Sequence, residues 1–65
     1  MTFKKVEKIL IKNGWIKVRT SGSHVQFKKE DINFLATVPN HGGKDISVGV
    51  LTSLEKGTGL SLKNR

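Results

Sequence analysis

The sequence contains no cysteine, and acidic residues are scarce. Without cysteine, neither a disulfide nor a thiolate-bound metal can support the fold. Five Asp and Glu stand against twelve Lys and Arg, which gives a formal net charge of +7. The chain has two His, and its His and carboxylates show no metal-ligand spacing, so a zinc site is not expected. We therefore expect neither a metal nor an organic cofactor.

The chain also lacks a long apolar run. No segment approaches the roughly 18 consecutive apolar residues that a membrane-spanning helix requires. The first residues continue directly into an amphipathic pattern, without the apolar stretch and cleavage site of a signal peptide. We expect a soluble, cytoplasmic protein, and 65 residues leave room for a single domain spanning residues 1–65.

The excess of positive charge limits the choice of partners. A strongly basic small domain is a candidate for nucleic-acid binding, because Lys and Arg neutralise the phosphates of the backbone. A solvated, lysine-rich surface and attraction to anionic lipid are the alternatives that composition leaves open. We favour nucleic acid, since steering of polyanions is a common use of such a charge.

Helical spacing of apolar residues marks both ends of the chain. Residues 2–13 are predicted to form an amphipathic helix capped by Thr2, which ends at Asn13-Gly14. A second helix is predicted over residues 48–56, with Ser47 as its N-cap. Gly57 and Gly59 are predicted to end this helix, and because glycine disfavours helix we do not expect it to continue past Gly57. The apolar residues beyond it, Leu60 and Leu62, are expected to fold back onto the core.

Alternating patterns between the helices predict three strands, over residues 15–19, 24–28 and 34–38, the last one stopped by Pro39. The order α-β-β-β-α predicts an α+β fold, in which a three-stranded antiparallel sheet carries two helices on one face. This is the outline of a double-stranded-RNA-binding domain.

The alternation also predicts two different faces for the sheet. Ile16 and Val18 are expected on the apolar face with Val25 and Phe27. The uncovered face is then expected to carry Lys17, Arg19, His24, Gln26 and Lys28. A fold does not assign a function, but a histidine among cations on an open face suggests one.

The candidates for chemistry are the histidines, His24 and His41. No carboxylate pair is suggested, because Glu30 and Asp31 are adjacent in a turn and project apart. Imidazole takes and returns protons near neutral pH, and RNA supplies its own nucleophile, the 2′-hydroxyl. The alternatives are a plain surface imidazole for His24, and for His41 a loop residue that caps the backbone or touches phosphate.

Trp15 and the cations of the first strand have two interpretations each. Trp15 could stack on a base, but we favour packing across the end of the helix. Lys17 and Arg19 are either solvated strand residues or phosphate contacts, and their predicted shared face with His24 favours phosphate contacts.

Several blocks of the sequence stand at characteristic separations. They are Gly14-Trp15, Arg19, Gly22-Ser23-His24, Phe27, Thr37-Val38-Pro39, His41, Lys44, Gly49-Val50-Leu51 and Gly59-Leu60-Ser61. Together, over residues 3–61, they resemble HicA toxins, the ribonuclease half of HicBA toxin–antitoxin pairs. The chain departs from that pattern at Val50, where Thr is usual, and at Glu55, Gly57 and Thr58, which replace a more apolar stretch.

The resemblance implies a double-stranded-RNA-binding-domain-like fold and a toxin that cleaves mRNA. It implies that His24 of the Gly-Ser-His block is catalytic, and that a HicB-type antitoxin binds the toxin and blocks this histidine. Metal-independent endoribonuclease activity is therefore the predicted function. The residues predicted to hold the RNA are Lys17, Arg19, Gly22, Ser23, Lys28 and Lys44.

Two alternatives belong to other functional classes. One is a non-catalytic RNA-binding module of the same fold, and the other is a domain that only binds protein. His24 discriminates between them and an enzyme, since a binding module has no need of an imidazole at that position.

Overall fold

The computed structural model describes residues 1–62 and has five elements in the predicted order. They are α1 (Phe3–Lys12), β1 (Ile16–Ser21), β2 (His24–Lys28), β3 (Ala36–Pro39) and α2 (Val48–Thr58). The strands form one antiparallel sheet in the order β1-β2-β3. The predicted α+β fold is confirmed. Neither described helix has the length and apolar character needed to cross a membrane.

Both predicted helix caps are confirmed. Thr2 Oγ1 accepts a hydrogen bond from the Lys5 backbone N–H at 3.4 Å at the start of α1. Ser47 Oγ accepts one from the Val50 N–H at 3.3 Å at the start of α2. Each cap satisfies one backbone donor that a helix leaves without an internal partner. Local side-chain chemistry therefore sets where both helices begin.

The prediction that α2 does not continue past Gly57 is wrong, whereas Gly59 does end the helix as predicted. The helix continues to Thr58 and ends at Gly59, whose N–H donates to the Glu55 carbonyl at 2.8 Å. The cause lies in packing, because the ring of Phe34 lies against Gly57 so closely that a Cβ there would overlap it. Gly57 is thus a contact point within the helix rather than its end.

The third strand begins and ends later than predicted. The predicted range of 34–38 becomes Ala36–Pro39, because Phe34 packs instead with its ring edge-on to Trp15, at a centroid distance of 6.5 Å. Pro39 belongs to the strand and pairs with His24. A proline is tolerated there because β3 is an edge strand, where one side of the backbone has no partner.

The core lies between the two helices and one face of the sheet. It is formed by Phe3, Val6, Leu10, Trp15, Val25, Phe27, Ala36, Val38, Ile46, Leu51, Leu54 and Leu62. Trp15 is 2% exposed, so the packing interpretation is confirmed. Leu62 is buried and Leu60 packs against the core from its edge, which confirms that this segment folds back.

A β-bulge in β1 changes which of its residues face the core. Lys17 is opposite Phe27 of β2, but the next paired residue, Arg19, is opposite Gln26, so Val18 is an extra residue. Directly opposed residues of an antiparallel pair point to the same face. Lys17 therefore lies on the core side of the sheet, at its edge, and Arg19 lies on the open side.

The predicted distribution of β1 residues between the two faces is consequently wrong in part. Ile16 lies opposite Lys28 on the open face, and Ile16 and Val18 are 66% and 51% exposed. Lys17 does not share a face with His24. Its ammonium instead reaches α1, where Nζ lies 3.0 Å from Glu7 Oε2.

Candidate functional site

A tight turn between β1 and β2 places His24. Gly22 and Ser23 join Ser21 to His24, which lie directly opposite each other in the ladder. The φ of Gly22 is +58°, as the first central position of a type II′ hairpin turn requires, and that position favours glycine. His24 is therefore the first residue of the central strand, and its side chain is exposed.

The neighbours of His24 on the open face follow from the strand register. Pro39 of β3 lies directly opposite His24. Arg19 of β1 and Thr37 of β3 are its diagonal neighbours, and such positions are roughly 7–8 Å apart. Gln26 separates these two and donates from Nε2 to Thr37 Oγ1 at 3.4 Å. The bulge thus brings a guanidinium within side-chain reach of the imidazole.

A second cation extends this face along β2. Lys28 lies four residues beyond His24 on the same strand, so its Cα is about 13 Å away at 3.3 Å per residue. Arg19 and Lys28 are both exposed. The open face therefore carries the predicted site residues His24, Arg19 and Lys28 together.

A cleft of ≈ 470 Å³ lies beside His24, between β3, the following loop and the start of α2. It is lined by His24, Thr37, Pro39, His41, Lys44, Asp45, Ile46, Ser47 and Val50. Two of the predicted site residues, His24 and Lys44, meet in this cleft, and His41 joins them. Both histidines of the chain thus border one concave surface, next to the cations of the open face.

The loop that forms one wall of the cleft is fixed at both of its ends. At its start, the Asn40 N–H donates to the Ser23 carbonyl at 2.6 Å, which holds the loop beside the first residue of β2. At its other end, Ile46 is buried, and its N–H donates to the Met1 carbonyl at 2.8 Å. The loop that carries His41 and Lys44 is therefore anchored on both sides, to the start of β2 and to Met1.

Lys17 is the predicted site residue that the structure places elsewhere. It pairs with Glu7 and borders a separate depression, formed by the start of α1 and the Gly42-Gly43 turn. The cleft is also lined by Thr37 and Val50, which the sequence analysis named as parts of the family blocks but did not assign to the site. The blocks alone do not show that these two residues lie beside His24, which follows from the strand register and the position of α2.

Proton transfer and phosphate binding are the chemistry that this arrangement offers. An exposed imidazole can act as acid or base, and Lys and Arg hold phosphate through charge-assisted hydrogen bonds. Within residues 1–62, no three side chains of His, Asp or Glu are grouped so that they could hold a metal ion.

The fold and the cleft together define a small, basic α+β protein with a surface site built around histidine. A family model described as HicA toxin of bacterial toxin-antitoxin matches residues 3–60. The chain therefore belongs to the HicA toxin family, as the sequence blocks predicted. Membership makes it the toxin of a toxin–antitoxin system, for which a cognate antitoxin is the implied partner. A comparison with curated proteins finds no match.

Proposed function

We propose that this toxin is an endoribonuclease that cleaves mRNA and uses His24 for proton transfer. The observation that carries the proposal is the position of His24 between two basic surfaces. On one side lies the cleft with Lys44, and on the other lies the open sheet face with Arg19 and Lys28. An RNA backbone that follows these cations passes over the imidazole.

The reaction uses the nucleophile that RNA already contains. The 2′-oxygen forms a bond to phosphorus and loses its proton to a base, while the bond from phosphorus to the 5′-oxygen breaks. The 5′-oxygen then takes a proton from an acid, and the products are a 2′,3′-cyclic phosphate and a 5′-hydroxyl. Acid–base catalysis of this kind typically contributes about 10²–10⁴-fold to the rate, and we assign it to His24.

The RNA-binding surface differs from the sequence prediction at one residue. We assign phosphate contacts to Arg19, Lys28 and Lys44, and leave out Lys17, because its ammonium is paired with Glu7 on the other side of the sheet. Gly22 and Ser23 form the turn beside His24. Because Gly22 has no side chain, the RNA backbone can approach this turn closely. The Ser23 hydroxyl can donate a hydrogen bond to a phosphate oxygen.

The test compares RNA cleavage by the purified wild-type chain, His24→Ala and His24→Gln. We expect both variants to lose about 10²–10⁴-fold or more of the cleavage rate and to keep the wild-type circular dichroism spectrum, since His24 is exposed and lies outside the core. The glutamine variant can hydrogen-bond to RNA but cannot exchange a proton at neutral pH, so it should still bind. Cleavage should also persist in EDTA, because imidazole and the 2′-hydroxyl need no metal for this reaction.

Each result has a definite meaning for the proposal. Cleavage by His24→Ala at the wild-type rate would remove His24 from the mechanism. RNA binding without any cleavage by the wild-type chain would instead identify a non-catalytic RNA-binding module. Loss of cleavage in EDTA, restored by magnesium, would contradict the proposed chemistry.

A further inference from the structure

We infer that His41 is a second catalytic residue, the proton-transfer partner of His24. The inference rests on the ribonuclease function proposed above and adds a residue and a division of labour to it. Its basis is that the fold brings the two imidazoles of the chain to one cleft, although 17 positions separate them in the sequence.

The strand register limits the distance between the two histidines. Pro39 lies opposite His24, and opposed Cα atoms in an antiparallel pair are roughly 4.5–5.5 Å apart. His41 follows Pro39 by two residues, which adds at most about 7 Å. The two histidine Cα atoms are therefore within about 13 Å, a span that two imidazole side chains and a phosphate between them can bridge.

The path of the loop keeps His41 beside the cleft. The hydrogen bond from the Asn40 N–H to the Ser23 carbonyl, 2.6 Å long, ties the residue before His41 to the residue before His24. The chain therefore passes the start of β2 instead of leaving the sheet at Pro39. A phosphate bound in the cleft is accessible to both imidazoles.

The reaction needs two groups with opposite protonation. One imidazole, unprotonated, accepts the proton of the 2′-hydroxyl as the 2′-oxygen bonds to phosphorus. The other, protonated, gives its proton to the 5′-oxygen, which keeps the electron pair of the broken bond to phosphorus. After the reaction the imidazole that acted as base is protonated and the one that acted as acid is not. Proton exchange with water returns both to their starting states.

The other polar groups of the cleft are less suited to the second role. The Lys44 ammonium serves phosphate as a positive charge and a hydrogen-bond donor. The Asp45 carboxylate faces the N-terminal ammonium of Met1, with Oδ1 at 3.3 Å. Ser47 Oγ is engaged as the cap of α2. Among the described residues that line the cleft, His41 is therefore the group best suited to share proton transfer with His24.

A substrate with a modified leaving group tests this assignment. The probe is an oligoribonucleotide that the wild-type chain cuts at one mapped linkage, together with a second version in which sulfur replaces the 5′-oxygen of that linkage. A thiolate leaves without protonation, so this substrate does not need the acid. The variants are His24→Gln and His41→Gln, which keep a hydrogen-bonding side chain, with Lys44→Ala as a control for lost charge.

We expect His41→Gln to slow cleavage of the ordinary linkage by about 10²–10⁴-fold. The sulfur linkage should restore the variant that lacks the acid, either His24→Gln or His41→Gln, to nearly the wild-type rate. The variant that lacks the base should stay slow. Lys44→Ala should bind RNA more weakly, and the sulfur linkage should not rescue it.

The controls separate this inference from the function on which it rests. If the wild type cleaves RNA and His24→Gln does not, the proposed function stands. In that case, cleavage by His41→Gln at the wild-type rate refutes the role of His41. The role is also refuted if the sulfur linkage restores the rate of neither histidine variant, or of both. If the wild type does not cleave RNA at all, the proposed function itself fails.

Discussion

Replacement of Gly57 by alanine tests the packing of α2 against the rest of the domain. Helix propensity alone predicts that this change stabilises the protein, by up to about 1 kcal/mol, because glycine is a poor helix former. The structure predicts the opposite. A Cβ at Gly57 would overlap the ring of Phe34, and this ring also packs edge-on against Trp15.

The size of the effect follows from three contributions. Forcing a methyl group into a packed contact costs about 1–3 kcal/mol. Displacing Phe34 from Trp15 costs about 0.5–1.5 kcal/mol more, and the gain in helix propensity offsets about 1 kcal/mol. The net loss of stability is about 0.5–3.5 kcal/mol. For a domain of this size, each 1 kcal/mol corresponds to about 4–8 °C in Tm.

Thermal and urea unfolding followed by circular dichroism measure this loss. Gly49→Ala is the matched control, because Gly49 also lies in α2 but a Cβ there would meet no atom within 4 Å among the described residues. We expect Gly49→Ala to keep or raise the Tm. In a Phe34→Ala background the clash is gone, so adding Gly57→Ala should no longer destabilise. A Gly57→Ala chain at least as stable as Gly49→Ala would refute the packing argument.

Two further predictions concern the binding surfaces. In a His24→Ala background, RNA affinity should fall steeply with salt, and log affinity against log salt concentration should have a slope near −0.7 per phosphate contact on single strands. Arg19→Ala should flatten this slope by about 0.7, and Lys17→Ala should leave it nearly unchanged. Equal effects of the two substitutions on the slope would contradict the assignment of these residues to different faces. An acidic HicB-type antitoxin that covers His24 and Arg19 should co-purify with the chain and abolish its RNA cleavage. It should also raise the Tm of the toxin by mass action. A stable complex that cuts RNA as fast as the free chain would exclude occlusion of His24.

The parts of the fold that the sequence predicted are those that local chemistry decides. Thr2 and Ser47 can cap helices because their hydroxyls reach a backbone N–H three residues on. The end of α2 and the start of β3 were both mispredicted because of the packing of Phe34, whose ring lies against Gly57 of α2 and edge-on to Trp15. These residues are far apart in the sequence, so neither pattern nor propensity indicates that they meet.

The candidate site was predictable to a similar extent. The sequence identifies His24 through its setting in a Gly-Ser-His turn, and Lys44 through the family pattern. It does not show that the loop containing His41 passes beside His24. That placement depends on the pairing of Pro39 with His24 and on the hydrogen bond from Asn40 to Ser23, both of which exist only in the folded chain.

The faces of β1 show why strict alternation failed at the site. Trp15 and Ile16 point to opposite sides, and the larger aromatic surface of Trp15 gains more from burial. With Trp15 inside, alternation places Lys17 on the core side, where its long side chain reaches outward to Glu7.

Without a bulge, the same alternation would turn Arg19 toward the helices as well, and a guanidinium directed at an apolar core is costly unless it is paired. The extra residue, Val18, returns Arg19 to the open face, diagonal to His24. One inserted position thus reconciles a buried tryptophan with a cation beside the imidazole. It also explains why the two basic residues of one strand differ, with Lys17 paired to Glu7 of α1 and Arg19 in the proposed contact with RNA.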